Sequence, residues 1–316
     1  MSSVTPASSG PRVGFLGPEG TFHEQALLSQ PDLAAGDLVA LPSIPDVLSA
    51  VESGAVELGF VGIENSIEGA VTVTVDALAF ETELLIQREV VLGVQMNLMA
   101  PSDVGLADVR RVLSMSVATA QCRTFLQHEL AGVDTVAVSS TAEAARLVAA
   151  DEHDGHTAAI APAVAAKLYG LDVLASDIED HPDNATRFVV VARSGIPVPT
   201  GHDKTSIVVF QRADRPGSLL AILQEFAARS INLTKLESRP TKKGLGNYCF
   251  VIDLEGHVGD ELVADCLRDL KSKVADVKFL GSYPAAGDHG PARRREVEAA
   301  WRDASTWIET LRGQIA

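Results

Sequence analysis

The chain has 316 residues, 46% of them hydrophobic and 22% charged, which is the composition of an ordinary globular protein long enough for more than one core. A formal net charge of -16 argues against a nucleic-acid partner, since phosphate binding needs a basic face and the basic run Arg293 to Arg295 is short. Cys122, Cys249 and Cys266 lie far apart without C-x-x-C spacing, so neither a disulfide framework nor a metal site is indicated, and a reducing cytosol fits.

The opening "MSSVTPASSG" is small and polar, with no basic region followed by an apolar one, and reads as a disordered leader rather than a signal peptide. No apolar run approaches a membrane span, so a soluble cytoplasmic protein with no membrane partner is expected. From residue 12 to 192, "RVGFLG", "ELGFVGI", "EVVLGVQM", "DTVAV", "TAAIA", "LDVLA" and "RFVVVA" read as strands. Helices lie between them. Ser43 opens one, with Pro45 in its first turn and Gly54 past its end; Ser140 opens another with Glu143 at the capping-box position; Pro162 and Gly170 bracket a third. The alternation implies an α/β fold with mainly parallel sheets, in which ligands bind in loops beyond the carboxyl ends of the strands.

Two prolines and two glycines crowd "RSGIPVPTGHDKT", which marks a linker. Beyond it the rhythm becomes strand, helix, two strands around a Lys-Gly turn, helix and strand. That βαββαβ order is the ferredoxin-like unit. The tail, residues 285–316, holds an amphipathic helical pattern carrying Trp301 and Trp307, expected to pack on its own domain or a partner subunit.

Four stretches carry chemistry. "GFLGPEGTF" at 14–22 is either a tight βα turn with Thr21 as N-cap or an anion cradle of free amides, and it lacks the G-x-G-x-x-G of a dinucleotide site. "VGIENSIEG" at 61–69 delivers Glu64, Asn65 and Ser66 at the end of a buried strand. They either satisfy loop backbone, or Asn65 and Ser66 donate to an anion while Glu64 orients or supplies a proton. In "SMSVATAQCRTF" at 114–125, Thr119 and Arg123 share a helix face and Gln121 points elsewhere, with Cys122 a core filler. In "DNATRFVVV" at 183–191, strand alternation sends Thr186 and Phe188 one way and Arg187 the other. Thr186 and Arg187 enter one cleft only if the backbone is irregular at Thr186, which the preceding "HPDNA" favours; otherwise Arg187 braces two domains through buried carboxylates.

Taken together, "GFLGPEGTF", "IENSIEG", "AQCR" and "NATRF" resemble the bacterial prephenate dehydratases, and "RPGSLL", "NLTKLESRP" and "GSYP" resemble the amino-acid-binding ACT domain that follows the catalytic domain in that family. The resemblance covers residues 12–284 and departs at Met115 and Ser116, where the family has His-Pro, and at Gly62, where it has Pro. It implies a two-lobed catalytic domain like the periplasmic binding proteins over 12–192, with the second lobe at about 95–170, a linker at 193–203, an ACT domain at 204–284 and a helical tail.

The resemblance also implies a monofunctional carbon–oxygen lyase that converts prephenate to phenylpyruvate without cofactor or metal. Its catalytic residues would be Thr186, Arg187, Phe188 and Glu64, and its substrate-binding residues Asn65, Ser66, Thr21 and Gln121. Phenylalanine would bind at Gly217, Ser218, Leu219, Leu220, Asn232, Glu237, Ser238, Arg239 and Pro240, between paired ACT domains of a dimer or tetramer. A chain ending near Arg193 would keep some activity and lose the phenylalanine response. The alternatives are an arogenate dehydratase or a non-catalytic anion-binding protein.

Overall fold

The computed structural model describes residues 10–150, 156–211, 215–242, 247–287, 303 and 306–315. The polar leader, the Arg293 to Arg295 cluster, Trp301 and the Lys-Gly turn lie outside them.

The first lobe is built from β1 (Arg12–Leu16), α1 (Phe22–Leu28), α2 (Pro31–Ala34), β2 (Asp37–Leu41), α3 (Ile44–Ser53), β3 (Leu58–Asn65), β4 (Gly69–Ala70), α4 (Thr72–Asp76) and β5 (Leu85–Gly93). Helix α3 begins where the sequence places it: the Ser43 hydroxyl accepts from the Asp46 amide, and Gly54 closes the helix in the left-handed region at φ 76°. The second lobe follows as β6 (Asn97–Ala100), β7 (Arg111–Ser114), α5 (Ser116–Gln121), α6 (Arg123–Glu129), β8 (Asp134–Ala137), α7 (Thr141–Ala149), β9 (Thr157–Ala161), α8 (Ala163–Tyr169) and β10 (Asp172–Ala175). The chain then returns through β11 (Ala185–Ala192), which inserts between β3 and β5.

The sheet orders are β2-β1-β3-β11-β5, with β4 on β3, and β10-β6-β9-β7-β8. Parallel pairing holds for β1 with β2 and β3 and for β7 with β8 and β9. However, β11 runs antiparallel to β3, and β6 runs antiparallel to β9 and β10, so both sheets are mixed rather than mainly parallel. The cause is connectivity: β6 and β11 are the strands that arrive from the other lobe, without the crossover helix that would align them with their neighbours. Strands β6 and β7 have four residues each, too short for a periodicity to register in sequence.

Each sheet is covered on both faces, which explains the unbroken apolar runs. Val13, Phe15, Phe60, Phe188 and Val190 pack on Ala26 and Leu27 of α1. In the second lobe Leu98, Val112 and Ile160 pack with Cys122, and Met99, Leu113 and Ala159 pack with α7 and α8. Burial pushes the Cys122 thiol up to about 12, as suits a core filler.

The C-terminal sheet is βαββαβ as expected, with β12 (Asp203–Phe210), α9 (Ser218–Ala227), β13 (Leu233–Pro240), β14 (Tyr248–Glu255), α10 (Glu261–Lys273) and β15 (Asp276–Pro284) in the order β13-β14-β12-β15. Ile207, Val209, Ile252 and Leu254 form its core with Ile222, Phe226, Val263 and Leu270. In the tail, residues 306–312 are helical and leave Trp307, Ile308 and Leu311 exposed, so this part does not pack on its own domain.

The chain divides into two compact units that do not follow its order. One takes residues up to Asp76 and Val90–Val191; the other takes Ala77–Glu89 together with the residues from Ala192 onward. The sequence did not signal that Ala77–Glu89 belongs with the C-terminal sheet. It is held there by Lys278, which donates to the Thr82 carbonyl at 2.5 Å, and by Lys204, which donates to both Glu89 carboxylate oxygens at 2.9 Å. Gly281 sits against this segment at φ 147°, where an added Cβ would lie 2.4 Å from the Ile86 carbonyl oxygen, so no other residue fits. Among the described residues no helix is long and apolar enough to cross a membrane.

Candidate active site

Strand β3 is buried from Gly59 to Ile63 and releases Glu64 and Asn65 at its end, beside the start of β11. Their register pairs Thr186 with Asn65, Arg187 with Glu64 and Phe188 with Gly62, leaving Ile63 as an extra residue on β3. The bulge therefore falls after Arg187 and not before Thr186, and alternation is intact between those two residues. Arg187 thus occupies the face opposite Thr186. Its side chain is 11% exposed and lies 3.5 Å from Glu64 on the neighbouring strand, whose own side chain is 37% exposed, so this pair is not the brace of two domains through buried carboxylates. Phe188 is likewise not a lining residue: it is fully buried, stacked on Phe60 with ring centroids 5.2 Å apart and edge-on to His23.

Asn65 is oriented by its own loop. Its Oδ1 accepts from the amides of Ile67 and Glu68 at 2.9 and 3.0 Å, which turns Nδ2 toward β11. From there Nδ2 donates to Thr186 Oγ1 and Asn184 Oδ1, both at 2.9 Å. Ser66 ties the same loop to β11, donating from its hydroxyl to Asn184 Oδ1 at 3.2 Å and accepting from the Ala185 amide at 3.0 Å.

Gln121 of α5 brings in the second lobe. Its Oε1 accepts from Asn184 Nδ2 at 3.1 Å, and its Nε2 donates to Glu68 at 3.2 Å. Thr119 of α5 and Arg123 of α6 face away, lining a separate groove of about 590 Å³ with β8, although Cys122 at φ -114° breaks the single helix that the sequence suggests. Asn65, Ser66, Gln121 and Thr186 are therefore brought together. Asn184 and Glu68 complete the group, and the sequence reading missed them because an Asn before a strand reads as a turn residue and an exposed Glu in a loop reads as solvated.

The Thr186 oxygen accepts from Asn65, and among the described residues no titratable side chain hydrogen-bonds it. Its own proton is left to donate outward.

The glycine-rich turn takes the plainer of its two readings. Thr21 is the N-cap of α1, accepting from the Glu24 amide at 3.4 Å and donating to the Leu16 carbonyl, and the Gly20 amide is taken by the Glu24 carboxylate at 2.5 Å. An anion there would compete with the chain's own carboxylate. Met115 is the N-cap residue of α5 and Ser116 its first residue, where the family pattern has His-Pro.

Beneath the site, His23 is part-buried and accepts from the Gly62 amide at 3.3 Å, a bond that a proline at that position could not donate. Burial lowers its pKa to about 4. In the unfolded chain the ring titrates near 6.5, so between about 6.5 and 4 only the unfolded state gains the proton and stability falls as the pH falls. Relative to His23→Gln, which keeps an acceptor for Gly62, the wild type should lose about 2 kcal/mol between pH 7 and pH 5. Urea unfolding at both pH values checks this. Equal losses in the two proteins would remove His23 as the cause.

In the C-terminal unit Gly217, Ser218, Leu219, Leu220 and Ser238 share a groove of about 500 Å³ with Tyr248 and Phe250. Gly217 caps α9 in the left-handed region at φ 85°. The rest of the expected effector set is not gathered with them. Asn232 donates to Glu255 at 3.0 Å, and Glu237 sits between Lys235 and Arg239 at 3.5 and 3.4 Å. Strand alternation on β13 puts Glu237 and Arg239 on the face opposite Ser238 and Pro240.

Comparison with known proteins bears on the chain as a whole. The prephenate dehydratase family model matches residues 13–195, and the ACT domain model matches residues 205–272. A prephenate dehydratase of Amycolatopsis methanolica is 42% identical over 313 residues, covering 96% of this chain and 99% of its own. The crystal structure of prephenate dehydratase from Arthrobacter aurescens in complex with L-Phe is 41% identical with a TM-score of 0.86, covering 95% of this chain and 99% of that one. A quorum-quenching acylase, GqqA, is 29% identical with a TM-score of 0.78, covering 90% of this chain and all of its own, 100%.

Proposed function

The chain belongs to the prephenate dehydratase family, and on that premise we propose that residues 12–192 convert prephenate to phenylpyruvate at the Asn65–Thr186 pair, under control of phenylalanine bound to residues 204–284. In the reaction the ring carboxylate leaves as carbon dioxide, the electrons of that carbon–carbon bond enter the ring, and the ring hydroxyl departs with one proton as water. Aromatisation supplies the driving force, so the enzyme's task is to assist the hydroxyl.

The observation that carries this reading is the hydrogen bond from Asn65 Nδ2 to Thr186 Oγ1. It occupies the oxygen and leaves the hydroxyl proton for the departing group, as a positioned donor that strengthens as charge develops. A threonine hydroxyl is too weak an acid to give up that proton outright, so its contribution is hydrogen bonding in the transition state.

The acylase relative raises amide hydrolysis as a second activity for this fold. A threonine nucleophile needs an adjacent base, and Thr186 has none among the described residues, which favours elimination over acyl transfer.

For regulation, the L-Phe complex of the Arthrobacter aurescens relative supports the groove at Gly217 as the effector site here. Leu220, Leu236 and Tyr248 are exposed, and β13 is an edge strand, which supports side-by-side pairing of two ACT domains in a homo-oligomer. The test of the function is incubation of the pure protein with prephenate and with arogenate, following phenylpyruvate and phenylalanine formation. Turnover of prephenate in preference to arogenate is expected. Binding of prephenate without product would make this an anion-binding protein instead.

A further inference from the structure

We propose that Glu68, acting through Gln121 and Asn184, is a positioning residue that keeps the Asn184 oxygen turned toward Asn65 and so helps hold Asn65 on Thr186. This rests on the dehydratase reading above.

Four side chains and one main-chain bond close a circuit. Gln121 Nε2 donates to Glu68, Asn184 Nδ2 donates to Gln121 Oε1, Asn65 Nδ2 donates to Asn184 Oδ1, and the Glu68 amide donates to Asn65 Oδ1. Asn184 and Gln121 are 2% and 9% exposed, so water does not readily replace a missing partner. Gln121 and Asn184 each fill the same shape when oxygen and nitrogen are exchanged, whereas Asn65 is held one way round by the Ile67 and Glu68 amides. A carboxylate cannot be exchanged in this way, because it only accepts.

Glu68 therefore forces Gln121 to present Nε2 to it and Oε1 to Asn184. Asn184 must then turn its nitrogen to Gln121 and its oxygen to Asn65 and Ser66. With that oxygen in place, one Asn65 N–H is held by Asn184 and the other is aimed at Thr186 Oγ1. Were Asn184 reversed, two amide nitrogens would face each other at 2.9 Å and Asn65 would be pushed off Thr186. The circuit also joins the first lobe, through Glu68 and Asn65, to the second, through Gln121, so Thr186 is fully oriented only when the two lobes meet.

The test reverses the circuit. Asn184→Asp keeps an oxygen toward Asn65 but sets a second one against Gln121 Oε1. If Gln121 turns to donate, its own oxygen then opposes Glu68. One acceptor pair is left facing without a proton, and kcat should fall by roughly thirtyfold. Adding Glu68→Gln supplies the missing donor, lets the two hydrogen bonds along residues 68, 121 and 184 run in the opposite sense while Asn65 keeps its own, and should restore at least tenfold of that loss in kcat at saturating prephenate. Glu68→Gln alone should cost about threefold, as a neutral acceptor replaces a charged one. The pair Gln121→Glu and Gln121→Glu with Glu68→Gln repeats the design should Asn184→Asp fail to fold.

Melting temperatures separate the outcomes. Recovery of kcat together with Tm supports the proposal. Recovery of Tm with kcat still depressed makes the circuit a structural tie only, and no recovery of either overturns it. If the wild type leaves prephenate unchanged while Tm follows the reversal pattern, the dehydratase reading fails and the circuit stands.

Discussion

Thr186→Ala is expected to lower kcat on prephenate by about two orders of magnitude, the usual cost of removing one positioned transition-state donor. The change deletes a hydroxyl whose oxygen is held by Asn65 and whose proton is assigned to the departing group, so KM should move far less than kcat. Thr186→Ser keeps the hydroxyl but loses the methyl that restricts its rotamer, and should retain about a tenth of the activity or more. Steady-state kinetics with a matched melting curve decide the matter. Turnover of Thr186→Ala within threefold of wild type would remove Thr186 from the chemistry.

The second large effect concerns regulation. Gly217→Val places a β-branched side chain at φ 85°, a conformation that costs it about 1–3 kcal/mol, at the entrance of α9 in the groove assigned to phenylalanine. The concentration of phenylalanine giving half inhibition, with each protein normalised to its own uninhibited rate, should rise at least tenfold. An effector can control turnover only by binding one arrangement of an enzyme better than another, so if phenylalanine acts at this groove, weaker binding there must appear as weaker inhibition. An unshifted inhibition curve would place the effector elsewhere.

Much of the scaffold was legible in the residues, and the reasons differ by element. Strands such as "TAAIA" and "RFVVVA" are buried on both faces and show as unbroken apolar runs, while Ser43, Gly54 and Ser140 mark helix ends through side-chain and left-handed caps that depend on residue type. Strand direction was not legible, because β6 and β11 owe theirs to which lobe the chain comes from. At the site, Thr186, Asn65, Ser66 and Gln121 were identifiable as a set. The bulge at Ile63 was not, since it arises from pairing across more than a hundred residues; because it falls after Arg187, regular alternation leaves Arg187 on the face opposite Thr186, beside Glu64. Asn184 and Glu68 escaped notice because their partners lie on β3, on the loop after it and on α5, far apart in sequence.

The attachment of Ala77–Glu89 to the C-terminal sheet bears on how the chain is made. Synthesis proceeds from the N-terminus, and the strand carrying Gly281 and Lys278 emerges roughly 190 residues after this segment, on the order of 10–40 s at ordinary elongation rates. For that interval Leu78, Leu84 and Ile86, all buried in the finished protein, wait without their final neighbours, and the first sheet is open until β11 arrives. Neither unit is thus complete when its own first residues leave the ribosome. A chain released near Arg193 would carry the segment permanently uncovered, so loss of activity in such a fragment would report sticky, half-dressed protein rather than a regulatory role for the missing part.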